Sequence, residues 1–165
     1  MKTTEWIKFL PEYIIFDVDG VFTDGNFIYT AEGKFWKIYG PHDADGIKLL
    51  KQNNIKIQCI SADKRWFPIT QKRIQKDMWL PLELVSEWDR MEWLKTNFDL
   101  SKCIYMGDGF HDAKVFKYMW YSIAPGNGFY FAKDRADYVT RTPAGSGAVL
   151  EAVLHILEKF YDITY

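Results

Sequence analysis

The stretch Ile15-Phe16-Asp17-Val18-Asp19-Gly20-Val21-Phe22-Thr23-Asp24-Gly25 decides how the rest of this 165-residue chain reads. The apolar run Tyr13-Ile14-Ile15-Phe16 has the character of a buried strand, and three carboxylates follow it within eight residues, around a turn at Gly20. Carboxylates held this close repel one another and raise each other's pKa, unless a cation in their midst restores the ionised forms. Donors made of hard oxygen atoms point to Mg²⁺.

The segments Ile55 to Ile60, Lys102 to Met106, Tyr121 to Ala124 and Ala136 to Thr140 read as further strands. Between them helical spacing occurs at Gly46 to Leu50, Ile69 to Met78, Glu87 to Phe98, Asp112 to Met119 and Gly147 to Tyr161. This alternation predicts an α/β fold, Rossmann-like in having a parallel sheet with helices on both faces, and 165 residues suit one domain spanning 1–165. One segment breaks the rhythm. The β-rich runs Asn26 to Thr30 and Lys34 to Tyr39 flank Ala31-Glu32-Gly33 and predict a hairpin flap directly after the first strand. Such a hairpin projects from the carboxyl end of the sheet, where open α/β sheets bind ligands.

Two other strand ends fit the same place. Cys59-Ile60-Ser61 closes the second strand with a hydroxyl, and Met106-Gly107-Asp108-Gly109-Phe110-His111-Asp112 closes the third with a carboxylate. With a helix starting near Gly109, Asp112 falls on the same side as Asp108, one turn further on.

Composition narrows the partners. Twenty-one basic against 22 acidic residues give a net charge of −1, which excludes a nucleic-acid binder acting through bulk positive charge. No run of about 18 apolar residues occurs and Met1 to Trp6 lacks an apolar leader core, so a soluble, cytoplasmic protein with no membrane partner is expected. Cys59 and Cys103 lie in apolar runs and read as reduced core thiols. Aromatic residues make up 18% of the chain, more than a minimal core requires.

The motifs together resemble the haloacid dehalogenase-like phosphatases, and within them the uncapped branch that includes 3-deoxy-D-manno-octulosonate 8-phosphate phosphatase. The resemblance rests on Asp17 to Gly25, on Gly107 to Asp112, and on Ala136 to Arg141 followed by Gly145-Ser146-Gly147-Ala148-Val149. It implies a Mg²⁺-dependent phosphatase acting on a phosphorylated keto-sugar acid of eight or nine carbons, without a cap domain. Asp17 is then the nucleophile that becomes an aspartyl-phosphate, and Asp19 the general acid and base. Mg²⁺ is held by the Asp17 and Asp108 side chains and the Asp19 carbonyl. Asp112 supports the metal from behind, and Ser61 binds a phosphate oxygen.

Departures from the pattern carry their own expectations. Arg90, after Asp89, stands where the family usually has Lys, and its planar fork replaces a point charge. Ala62-Asp63-Lys64 replaces a Gly-Arg pair. Asp63 there resembles the variants that act on nine-carbon substrates, and Lys64 is a basic candidate at the mouth along with Arg65, Arg73 and Arg141. Leu150 stands where the branch has an Arg able to pair with a substrate carboxylate. His42 and Asp43 fall either near the site or at the cap of the next helix. The branch typically forms tetramers, and an isolated two-stranded ribbon is marginal in water. Phe27, Tyr29, Phe35, Trp36 and Tyr39 are therefore expected between subunits of a homotetramer. Two other classes compete: a non-catalytic oligomerisation or regulatory module, which would have lost Asp17 or Asp19, and a receiver domain, which the hairpin and the second Asp argue against.

Overall fold

A computed structural model describes residues 10–165. The N-terminal segment read for a leader core lies outside the described residues. The first strand, β1 (Tyr13–Asp17), leads into the hairpin strands β2 (Ile28–Thr30) and β3 (Gly33–Trp36) and then helix α1 (Asp43–Gln52). Next come β4 (Lys56–Ser61) and helix α2 (Phe67–Thr70), which widens into π-helical turns over Gln71–Asp77. The chain continues through β5 (Leu82–Leu84), α3 (Arg90–Asn97), β6 (Cys103–Met106), α4 (Phe110–Phe116) and β7 (Tyr121–Ala124). It ends with α5 (Tyr130–Lys133), β8 (Tyr138–Val139) and α6 (Ala148–Tyr161).

Six strands form one parallel sheet in the order β5-β4-β1-β6-β7-β8, and β2 and β3 pair antiparallel outside it. Both faces are covered, and the side-chain alternation explains how. Ile14, Phe16, Cys59, Ile104 and Met106 face Ile47 and Leu50 of α1 and Val149, Val153 and Ile156 of α6. Ile15, Ile60, Cys103 and Tyr105 point the other way, onto Leu94 of α3 and Ala113, Val115 and Phe116 of α4. The α/β class predicted from the sequence is the one observed, and no cap domain occurs among the described residues.

Some boundaries differ. The strand β5 was not anticipated: Pro81 precedes it and only three residues pair, too few for an apolar pattern to show. The expected strand Ala136 to Thr140 pairs only at Tyr138 and Val139, because Asp137 instead accepts hydrogen bonds from the Ser122 backbone and hydroxyl. Short α5 was also missed. Among the described residues no helix is long and apolar enough to cross a membrane.

The close contact of α1 with α6 depends on Gly46, where an added Cβ would lie 2.9 Å from the Leu150 Cα. Leu150 thus belongs to this helix contact. Asp43 settles there too: its Oδ1 accepts the Val149 N–H at 3.0 Å, so it caps the start of α6 from the first turn of α1.

The strands run parallel, so β1, β4 and β6 end at one edge, with Asp17 opposite Ile60 and Phe16 opposite Met106. The chain leaves β1 toward β4 on one side and returns to β6 on the other. That reversal opens a crevice at the carboxyl edge.

Candidate active site

The turn after β1 is fastened by its own side chains. Thr23, buried, accepts the Gly20 N–H at 2.9 Å and the Gly25 N–H at 3.4 Å. Gly20 has φ +81°, and a Cβ there would lie 2.1 Å from Asp108 Oδ2. Only glycine lets the first motif and the Asp108 loop approach this closely.

One oxygen each from Asp17, Asp108 and Asp112 lie within 4.8 Å of one another. The third acid of the opening stretch is elsewhere: Asp24 turns back to accept the Asn26 N–H at 3.0 Å. The charge cluster therefore forms between strand ends, and not within one turn. The Asp19 side chain is bonded to Ser61, whose Oγ donates to Asp19 Oδ2 at 2.8 Å.

Arg90 enters this cluster from the first residue of α3 and is only 4% exposed. Its guanidinium donates to Asp17 Oδ1 at 3.1 Å and to Asp112 Oδ1 in a short contact. Asp112 is further held by the Tyr105 hydroxyl at 2.6 Å and the Gly109 N–H at 2.9 Å. Burial pushes the Asp17 pKa well up, and Arg90 offsets this only in part against Asp112, Asp108 and Asp19. Burial likewise raises Asp108, to about 7, with repulsion from Asp112 adding to it. Burial alone would lower Arg90, but Asp17, Tyr105 and Asp112 hold it well above its ordinary value. Three carboxylates against one guanidinium leave two formal negative charges among oxygen donors. That donor set fits a hard divalent cation.

A cavity of about 470 Å³ opens beside the cluster. Asp17, Asp19, Asp63, Lys64, Arg90, Asp108 and Asp112 all line it, and Ser61 sits fully buried behind Asp19. The hairpin supplies Phe27 and Lys34, and α4 supplies Phe110 and His111. Arg65 lines it as well and donates to the Glu32 carbonyl at 2.8 Å. Arg73 lies instead in a groove with Phe35, Trp36 and Tyr39.

Sequence reading missed two lysines. Lys34 pairs with Asp63 at 2.8 Å, and Lys37 lies 3.0 Å from Asp63 and 2.8 Å from Asp19. Burial would raise the Asp63 pKa, yet hydrogen bonds from the two lysines hold it below the ordinary value. Asp63, expected to receive sugar hydroxyls, has Oδ2 shared between both lysines and Oδ1 accepting the Trp66 N–H at 3.3 Å. A three-residue spacing does not put two side chains on one strand face, so the sequence held no sign of this pairing. β3 ends at Trp36, so Lys37 lies outside the alternation of the strand.

On the hairpin, Phe27, Tyr29, Phe35 and Trp36 are exposed in the single chain. Tyr39 is half-buried: it packs against the α1 and α6 side of the core and lines the same groove as Phe35 and Trp36, and burial raises its pKa to about 12.

Comparison with known proteins agrees with this geometry. The sequence pattern of the haloacid dehalogenase-like hydrolases matches residues 48–153. The 3-deoxy-D-manno-octulosonate 8-phosphate phosphatase of Haemophilus influenzae is 32% identical over 155 residues, covering 89% of this chain and 83% of that protein. The enzyme of the same name from Escherichia coli K12 is 28% identical, covering 84% and 74%. A solved structure of the Moraxella catarrhalis phosphatase, in complex with magnesium, phosphate and KDO, matches with a TM-score of 0.79 at 28% identity, covering 94% of this chain and 90% of that one. The cobalt-bound H. influenzae structure matches with a TM-score of 0.76 at 28% identity, covering 92% and 89%. From the family pattern, the length of these matches and the acidic crevice at the carboxyl edge of the sheet, it follows that the chain belongs to the haloacid dehalogenase-like hydrolases.

Proposed function

We propose that this protein is a Mg²⁺-dependent phosphatase that hydrolyses the phosphate monoester of a keto-sugar acid, either 3-deoxy-D-manno-octulosonate 8-phosphate or a nine-carbon nonulosonate 9-phosphate. The observation that carries this reading is the position of Asp17, buried at a strand end, bonded to Arg90 and grouped with Asp108 and Asp112 beside an open cavity.

In this mechanism an Asp17 carboxylate oxygen attacks phosphorus while the bond from phosphorus to the sugar oxygen breaks. Asp19 gives its proton to the departing sugar oxygen. It then takes a proton from water, which attacks the aspartyl-phosphate, freeing inorganic phosphate and regenerating Asp17. The Arg90 guanidinium steadies charge next to the attacking oxygen. Ser61 keeps its hydroxyl at the same wall, where a phosphate oxygen would compete with Asp19 for the proton. Asp17, Asp108 and the Asp19 carbonyl would hold Mg²⁺, with Asp112 beside them, and the bound ion would neutralise charge between carboxylate and phosphoryl group.

Lys34, Lys64 and Arg65 along the outer wall support an acidic substrate. The exposed hairpin aromatics support burial between chains of a homotetramer. The buried free thiols of Cys59 and Cys103 accord with a cytoplasmic protein, and no nucleic-acid or membrane partner is proposed.

The test is phosphate release with and without Mg²⁺ over eight- and nine-carbon keto-acid phosphates, hexose phosphates and pyrophosphate. Turnover of a keto-acid phosphate that disappears in Asp17→Asn is expected. No release from any ester with metal present would overturn the reading.

A further inference from the structure

Lys37 is a buried cation that the mechanism above does not use. Its side chain is 2% exposed, although it lies just beyond a solvent-facing hairpin. Burying an ammonium group is costly unless its protons are matched by acceptors. Three elements supply its partners. Asp19 Oδ1, after β1, is 2.8 Å away, Asp63 Oδ2, after β4, is 3.0 Å away, and Thr70 Oγ1, in α2, accepts at 2.7 Å. The ammonium thus makes one hydrogen bond, to Thr70, and two ion pairs with carboxylates. Thr70 is itself fully buried, so the amine is anchored from a side that substrate does not reach.

Asp19 therefore takes a hydrogen bond from Ser61 on Oδ2 and an ion pair from Lys37 at Oδ1. A side chain that must give and take a proton within one catalytic cycle gains from being held in a single orientation. Asp63 completes the arrangement. It accepts from Lys34 and Lys37 together and links the hairpin to the segment after β4.

We propose that Lys37 is a positioning residue that fixes the orientation of Asp19 and joins the hairpin flap to the proton-transfer step. The proposal rests on the general acid and base role given to Asp19 above. Its signature is a dependence on the leaving group, because kcat/KM covers the steps up to release of that group. An alkyl phosphate needs a proton at that point, whereas nitrophenolate leaves without one.

The experiment compares Lys37→Met with the unaltered protein in Mg²⁺, using glycerol phosphate and p-nitrophenyl phosphate. The expected result is a fall in kcat/KM about tenfold greater for the alkyl ester. Little additional loss is expected when Lys37→Met is placed in an Asp19→Asn background. Equal loss on both esters, or full additivity with Asp19→Asn, would overturn the proposal and leave Lys37 as a structural clamp on the hairpin. Thr70→Val, which keeps the cation and removes one acceptor, should show the same leaving-group bias at a few-fold size if Lys37→Met fails to fold. A crystal structure of whichever variant folds decides the matter without turnover. The Asp19 carboxylate should leave Ser61, and an unmoved Asp19 would sink the proposal. That readout also separates failure here from failure of the phosphatase reading, which would appear as absent release by the unaltered protein.

Discussion

Arg90 donates to Asp17 across 3.1 Å, bringing a cation from the start of α3 to the strand-end carboxylate that the proposed chemistry requires as nucleophile. The same guanidinium holds Asp112, so two acids from different strand ends share one counter-ion. Loss of Arg90 would leave both carboxylates buried without it.

Replacement of Arg90 by Met should destabilise the metal-free protein by about 3–5 kcal/mol, the usual cost of leaving a buried ion pair half-broken. Urea unfolding in EDTA measures this, and phosphate release should fall by about a hundredfold. Arg90→Lys keeps the charge without the fork that reaches Asp17 and Asp112 together, and should recover only part of both losses.

Metal affinity should depend on pH. Asp108 titrates near 7 in the folded chain against an ordinary value of 3.8, raised by burial and then by Asp112. A carboxyl raised on folding contributes its stability below the unfolded pKa and loses it as pH rises through the folded value. The metal-free protein should therefore lose stability between about pH 4 and 7 from this group. Mg²⁺ competes with that proton, so the rise in Tm on adding Mg²⁺ should grow over the same window, which melting curves from pH 5 to 8 will show.

Gly20→Ala combines a φ of +81° with a Cβ driven into the Asp108 carboxylate. Strain of about 1–3 kcal/mol is expected, and Asp108 must move out of the cluster. Calorimetric titration should show Mg²⁺ binding weakened by tenfold or more, while circular dichroism retains the α/β signature.

Tyr105→Phe removes the buried hydroxyl that donates to Asp112 at 2.6 Å. A bond to a charged acceptor is worth about 1.5–3 kcal/mol, so denaturant midpoints should fall accordingly. The effect should persist in EDTA, since it arises within the protein.

The exposed hairpin residues Phe35 and Trp36 predict assembly. Light scattering should give the mass of four chains for the unaltered protein and a smaller species for Phe35→Ser with Trp36→Ser. The altered hairpin lies outside the sheet, so subunit secondary structure should be unchanged.

The sequence by itself determined the parts of this protein in which neighbouring residues act together. The apolar run ending at Asp17, the strand ends at Ser61 and Asp108, and the helical spacing between them are local patterns, and a parallel sheet gathers such ends at one edge. The α/β class and the pocket-lining acids Asp17, Asp19, Asp108 and Asp112 were legible for that reason, whereas Asp63, Lys64 and Arg90, which line the same pocket, were reached only through the family resemblance. Tertiary structure decided which of these groups touch. It turned Asp24 away from the acids, put Asp112 among them, and sent Asp43 to cap α6. It packed half-buried Tyr39 against the core and brought Lys37 onto Asp19 and Asp63. These outcomes depend on which distant charge is left to be matched in a buried space. Such long-range electrostatic pairing leaves no period in the sequence.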